Sequence, residues 1–155
     1  MFDTYVTIVG NVLSAPESRR TVRTGTAVTN FKVASTARRF DRATETWVDG
    51  DSLRVKVACW RRLGEHVATS VVQGDPVIVT GRLSTREYET EGGEKRISYE
   101  LEAVAVGHDL ARGTGRFARW RPAVTEMVED GSEDEFVGGE ATEALEEELG
   151  ELVGV

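Results

Sequence analysis

The stretch LRVKVACWRR, from Leu53 to Arg62, alternates apolar with polar residues, and this period of two constrains the fold more than any other feature. Successive side chains of a β-strand point to opposite faces, so the odd-numbered residues from Leu53 to Cys59 form one apolar face. The other face carries Arg54, Lys56, Ala58 and Trp60. It could be an ordinary solvated surface, but a tryptophan between cations favours contact with phosphates and bases.

Composition sets the class of protein. The 155 residues suffice for one domain with a core and an appendage. No apolar run approaches the roughly 20 residues of a membrane span, and the N-terminus lacks the basic start of a signal peptide. The single cysteine, Cys59, is expected to be a buried thiol, although a bridge between subunits stays open. These features predict a cytoplasmic protein that binds no membrane.

The charges are strongly segregated along the chain. Residues 1–121 hold all 19 Lys and Arg against 15 Asp and Glu, whereas residues 122–155 hold 12 acids and no base. Such asymmetry predicts a body that meets polyanions and an acidic tail. We place the domain at 1–110, and we expect 111–155 to be a linker and a disordered acidic tail.

Five strands and one helix are predicted in the first 110 residues. The strands are 5–13, 27–36, 53–60, 76–83 and 97–106, and the helix is 62–72. Residues 17–25 are interpreted as a connection and 37–52 as a polar loop with an Asp-Gly turn. Residues 85–98 form a long hairpin arm that turns at 91–94. This order, with the helix between strands 3 and 4, predicts an all-β OB-fold, a five-stranded Greek-key barrel.

The chain resembles the bacterial single-stranded DNA-binding protein family over residues 2–110. The matching stretches are VTIVGNVLSAPESR, TAVTNFKVAST, WVDGDSLRVKVACW, VVQGDPVIVTGRLSTREYE and GEKRISYELEAVAVG. The resemblance implies sequence-independent binding and protection of single-stranded DNA in replication, recombination, repair or chromosome segregation. It also implies a homotetramer in the bacterial nucleoid, with no cofactor.

The resemblance also implies a set of DNA-binding residues. Three positions at which family members stack bases are aromatic here: Phe40, Trp60 and Tyr88. A fourth such position is Arg54, whose planar guanidinium can still stack or bind phosphate. The expected phosphate contacts, each of which could also be an ordinary solvated charge, are Arg38, Arg39, Arg54, Lys56, Arg62, Arg82 and Arg86.

The C-terminal sequence departs from the family pattern. Typical members close with an acidic tip ending in Ile-Pro-Phe or similar, which docks repair and replication enzymes, whereas this sequence closes with GELVGV. It resembles the second, specialised copy that some bacteria carry. Recruitment of the usual tip-binding enzymes is therefore not expected.

Two alternatives to DNA binding are an enzyme and a module that binds RNA or protein. An enzyme is disfavoured because the chain offers only His66 and His108, without metal-ligand spacing, and no nucleophile motif. We therefore predict no catalytic site and no metal site. The alternative that remains is an OB-fold module that binds RNA or protein, since the same basic and aromatic face would suit RNA.

Deletion of residues 122–155 should tighten binding of poly-dT in dilute buffer, because a tethered polyanion competes with DNA for a cationic surface at high effective concentration. Salt screens such pairings, so the difference should fade as ionic strength rises. Fluorescence titration of both chains across a salt series measures it. Equal affinities at low salt would contradict the prediction.

Overall fold

Residues 1–123, which a computed structural model describes, contain six strands and one helix. All of these elements lie within one compact unit, Met1–Phe117. The elements are β1 (Thr4–Val12), β2 (Glu17–Arg20), β3 (Ala27–Asp41), β4 (Thr46–Trp60), α1 (Arg61–Ser70), β5 (Pro76–Glu89) and β6 (Lys95–His108). The predicted domain limit near residue 110 stays a prediction, and most of the acidic tail lies outside the described residues.

Five of the strands close into a barrel. The sheet order is β1-β5-β6-β4-β3-β2, and β1 also pairs with β3 through Asn11–Ala34 and Val12–Val33. Only β4 and β6 run parallel among these pairings; the others are antiparallel. The helix α1 joins β4 to β5. The predicted five-stranded OB-fold with its helix and its long hairpin arm is therefore confirmed.

The sixth strand, β2, lies at the edge of the sheet beside β3. Its four residues pair with Ala27–Asn30, so the interpretation of residues 17–20 as a connection is wrong. All four β2 residues are exposed, and a strand without a buried face gives no apolar alternation in the sequence.

Residues 37–52, predicted to be a loop, are mostly strand. The hairpin of β3 and β4 continues to Asp41 and Thr46, and its turn lies at residues 42–45 rather than at the predicted Asp-Gly. Glu45 adopts the left-handed conformation there, with φ 53°. The hairpin extends beyond the barrel and most of its residues are exposed, so its sequence shows no alternation between a buried and an exposed face.

The inner face of β4 supplies much of the core. Val55, Val57 and Cys59 are buried, as the alternation predicts, whereas Leu53 lies in the extended hairpin and is 43% exposed. These residues pack against Phe31, Val33, Val77, Val79 and Leu101. Burial raises the pKa of the Cys59 thiol to about 12, so this thiol is protonated at neutral pH.

The helix α1 packs on the barrel through Gly64 and Val67, its two buried residues. The Thr29 hydroxyl, buried in β3, donates a hydrogen bond to the Gly64 carbonyl at 2.7 Å. The predicted helix is thus present, one residue earlier at its start and two at its end. No helix in the described part of the chain is long and apolar enough to cross a membrane.

Substitution Gly10→Ala should destabilise the barrel by about 1–3 kcal/mol, the usual effect of overpacking. A Cβ at Gly10 would collide with the Ala34 carbonyl oxygen, where β1 leaves β5 to pair with β3. Gly107→Ala is the control, since a Cβ there meets nothing within 4 Å. Urea unfolding measures both variants, and equal stabilities would contradict the prediction.

Candidate nucleic-acid interface

A groove of about 720 Å³ lies on the outer face of the barrel, across all strands except β1. Six cations line it, against two carboxylates. The cations are Arg19, Arg20, Arg23, Lys56, Arg82 and Arg86, and the carboxylates are Glu100 and Glu102. Trp60 also lines the groove and is 39% exposed. The groove therefore combines an excess of positive charge with an accessible indole.

Strand register arranges the groove side chains in rows, because directly paired residues point to the same side of a sheet. Arg19 pairs with Val28, and Val28 pairs with Trp60, so a guanidinium and the indole share a row. Lys32 and Lys56 form another row. Arg54, opposite Ala34, continues the same face of β4 towards the hairpin.

The row of Lys32 and Lys56 is electrostatically unfavourable, since like charges directly opposite each other destabilise a sheet. Glu100 of β6 pairs with Lys56 in the parallel ladder and places one negative charge beside it. Within residues 1–123, neither lysine forms an ion pair or a side-chain hydrogen bond. An anionic ligand would relieve the repulsion between these two ammonium groups.

The two arginines of β5 form ion pairs with carboxylates. Arg82 donates to Glu102 Oε2 at 2.6 Å and lies 3.7 Å from Asp3, and these acids raise its pKa. Arg86 lies 3.9 Å from Glu100. A phosphate at these arginines must therefore compete with carboxylates that are already ion-paired to them, whereas Lys56 forms no ion pair among residues 1–123.

The structure brings four of the predicted residues together in the groove: Lys56, Trp60, Arg82 and Arg86. Others lie on the same sheet faces beyond it. Tyr88 follows Arg86 on β5, opposite Arg96, and Arg38 and Phe40 lie near the end of β3. These placements leave the binding roles as predictions.

Two predicted phosphate contacts lie elsewhere. Arg39 falls between Arg38 and Phe40 in β3 and pairs with Val48, so it points to the opposite face of the hairpin. Arg62 lies in the first turn of α1 and is not among the residues that line the groove.

Sequence reasoning missed four cations of this surface. Arg19, Arg20 and Arg23 come from β2 and the turn after it, and three arginines in five residues were the signal available. The fourth is Lys32, whose pairing with Lys56 depends on where the β3–β4 turn lies. The correct turn at residues 42–45 would have revealed that pair.

The two histidines, which are candidate catalytic or metal-binding residues, lie outside the groove. The His108 ring lies 2.9 Å from Asp75, outside the groove, and His66 lies on α1. Between residues 1 and 123, no three His, Cys, Asp or Glu side chains gather where they could hold a metal ion.

The closed barrel with its basic, aromatic outer groove defines an OB-fold, a class of barrel that commonly binds oligonucleotides. The model of the single-strand binding protein family matches residues 3–109, and the chain belongs to that family. A Corynebacterium glutamicum single-stranded DNA-binding protein is 51% identical over 108 residues, 70% of this chain and 48% of that protein. The chain thus spans about half the length of this relative.

Two solved structures resemble the fold. The small single-stranded DNA-binding protein from Streptomyces coelicolor is 41% identical, with a TM-score of 0.66 over 73% of this chain and 100% of its own. The second single-stranded DNA-binding protein from Mycobacterium smegmatis is 35% identical, with a TM-score of 0.57 over 76% of this chain and 100% of its own.

Glu102→Gln should tighten polyanion binding severalfold at low salt, because it removes a carboxylate from the groove and releases Arg82. The gain should diminish as salt screens the remaining charges. Titration with poly-dT measures it. Glu87→Gln, an equal charge change on an exposed residue that does not line the groove, is the control, and an equal gain there would contradict the prediction.

Proposed function

We propose that this protein binds and protects single-stranded DNA without regard to sequence. The observation that carries the proposal is the groove, where an exposed indole lies among six cations on the outer face of an OB-fold. The names of the relatives, which are single-stranded DNA-binding proteins, support the same function.

Stacking and charge share the binding energy in this mechanism. Bases stack on Trp60, Tyr88 and Phe40, each contributing roughly 1–3 kcal/mol. Cations along the same faces contact the phosphates between them, first those that form no ion pair within residues 1–123: Arg19, Lys32, Arg54 and Lys56. Stacking needs only the π-face of a base, so the sequence of the strand does not matter.

Selectivity for single strands follows from the same contacts. A duplex buries the faces of its bases in its own stack, so only its phosphates remain for the protein. Phosphate contacts alone give weak binding that declines steeply with salt. Single-stranded DNA adds the stacking contribution, which salt does not screen.

We further propose that the chain assembles as a homotetramer. The outer surface of β1 and β5 supports this, since Tyr5, Val9 and Ile78 are exposed there and Val9 pairs with Ile78. Adjacent apolar side chains on a sheet face favour contact with another protein surface. The similar M. smegmatis protein is the second single-stranded DNA-binding protein of its organism, which supports an accessory role for this chain.

The function is tested by titrating tryptophan emission with poly-dT, with a duplex of matched length and with RNA of equal length. We expect saturable quenching by poly-dT that persists at moderate salt, and weak, salt-sensitive binding of the duplex. Equal affinity for duplex would refute the proposal. Preference for RNA would favour the RNA-binding alternative.

Trp60→Ala should weaken poly-dT binding by roughly 1–3 kcal/mol, the contribution of one stacked base. Part of the indole is covered by its neighbours, so some loss of stability is also expected. Trp60→Phe, which keeps a smaller aromatic face, is the matched control and should retain most of the affinity. Unchanged affinity in Trp60→Ala, despite reduced thermal stability, would show that Trp60 is structural.

A further inference from the structure

The hairpin of β3 and β4 changes its register beyond the barrel. Thr36 pairs with Ser52, but two residues later Arg38 pairs with Asp49. One residue of β3 therefore faces two of β4, Gly50 and Asp51, which is the arrangement of a β-bulge. A Cβ on Gly50 would lie 3.3 Å from the Ala37 carbonyl oxygen, so the strands approach closely at this point.

The bulge decides which face of the sheet Trp47 occupies. Uninterrupted alternation would place this odd-numbered residue with Val55 and Val57, on the core face of β4. The extra residue reverses that assignment, as any shift of one residue does. Trp47 pairs with Phe40, which lies on the same face of β3 as Lys32. Trp47 therefore shares the face of Lys56 and Trp60.

Trp47 and Phe40 contact each other on this face. Their ring centroids are 5.7 Å apart and their planes meet at 66°, an edge-to-face pair. The Arg38 guanidinium donates a hydrogen bond to the Trp47 carbonyl at 3.1 Å and lies 3.8 Å from Asp49. These contacts fix the strands beneath the rings, but 62% of Trp47 and 49% of Phe40 stay exposed.

We propose that Trp47 is a base-stacking residue and that it forms with Phe40 a two-ring platform at the outer end of the DNA path. This inference rests on the proposed function. Trp47 lies thirteen positions before Trp60 in β4, or about 40 Å along the strand. A DNA strand that follows this face passes Lys56 and Arg54 between the two tryptophans.

The platform supplies stacking area at the end of a stretch of this face that has none. Arg54 is followed towards the hairpin end by Ser52 and Asp49 on the same face, and none of the three carries an aromatic ring. Trp47 is the next residue with a large aromatic ring along this face of β4. A cross-strand aromatic pair that served only to stabilise the hairpin would not need to leave most of the indole in water.

Fluorescence isolates the contribution of Trp47. The chain has three tryptophans, so Trp60→Phe combined with Trp120→Phe leaves Trp47 as the only one. Poly-dT should quench its emission with the same midpoint as binding measured by electrophoretic shift. The reciprocal variant, Trp47→Phe with Trp120→Phe, reports Trp60 in the same way.

The affinity for oligo-dT of different lengths gives a second test of the platform. Trp47→Ala should weaken binding of an oligo-dT of about 16 nucleotides, but not that of one of about 4, which Trp60 alone can hold. The expected loss is roughly 5- to 150-fold, from the contribution of one stacked base. Val48→Ala is the matched control, since Val48 is adjacent in β4 and points to the opposite face.

The outcomes separate this inference from the proposed function. Quenching of Trp60 without any change at Trp47 would overturn the platform and leave DNA binding intact. Equal losses in Trp47→Ala and Val48→Ala would also overturn it, because hairpin folding would then account for both. Absence of poly-dT binding by the unaltered chain would refute the proposed function and this inference with it.

Discussion

The whole architecture depends on β1 hydrogen bonding to two strands at once. Most of its residues pair with β5 and its last two pair with β3, which closes five strands into a barrel and leaves β2 as an edge strand. The turn from one partner to the other occurs at Gly10, where any Cβ would collide with the Ala34 backbone. Closure gives each of the five barrel strands an enclosed face and an outer face, whereas all four residues of β2 are exposed. The outer face is free to carry charge because it contributes little to the core.

The outer face is arranged at some cost to the stability of the free protein. Lys32 and Lys56 lie directly opposite each other, a pairing that folding alone would disfavour. On β5, by contrast, Arg82 and Arg86 are held by carboxylates of β6. The β3–β4 side of the groove is therefore ready for anions, whereas on the β5–β6 side an anion must displace an internal partner. Phosphate contacts should accordingly be stronger along β3 and β4.

The features that could be predicted from the sequence are those that depend on neighbouring residues, such as the alternation of a half-buried strand. The alternation from Val55 to Trp60 predicted the strand and its two faces. The family resemblance also predicted the fold, which the structure confirms, and the stacking positions, which stay predictions. The exposed strand β2 and the outer half of the β3–β4 hairpin have no buried face, so no periodicity marks them. The pairs Lys32–Lys56 and Arg82–Glu102 join residues distant in sequence, and only the register reveals them.

The bulge beside Ala37 shows why one residue of register matters for the site. Alternation of side chains counted back from Val55 assigns Trp47 to the core face. The bulge at Gly50 reverses this assignment, but the bulge can be recognised only when the turn is placed at residues 42–45. The corrected face has aromatic groups at both ends, Trp60 near the barrel and the Phe40–Trp47 pair at the hairpin end, with Arg54 and the two lysines between them. Bases can then stack at the ends of the path while phosphates meet cations in the middle. The stacking and ionic contributions fall on different stretches of one face, so substitutions in β4 can alter one without removing the other.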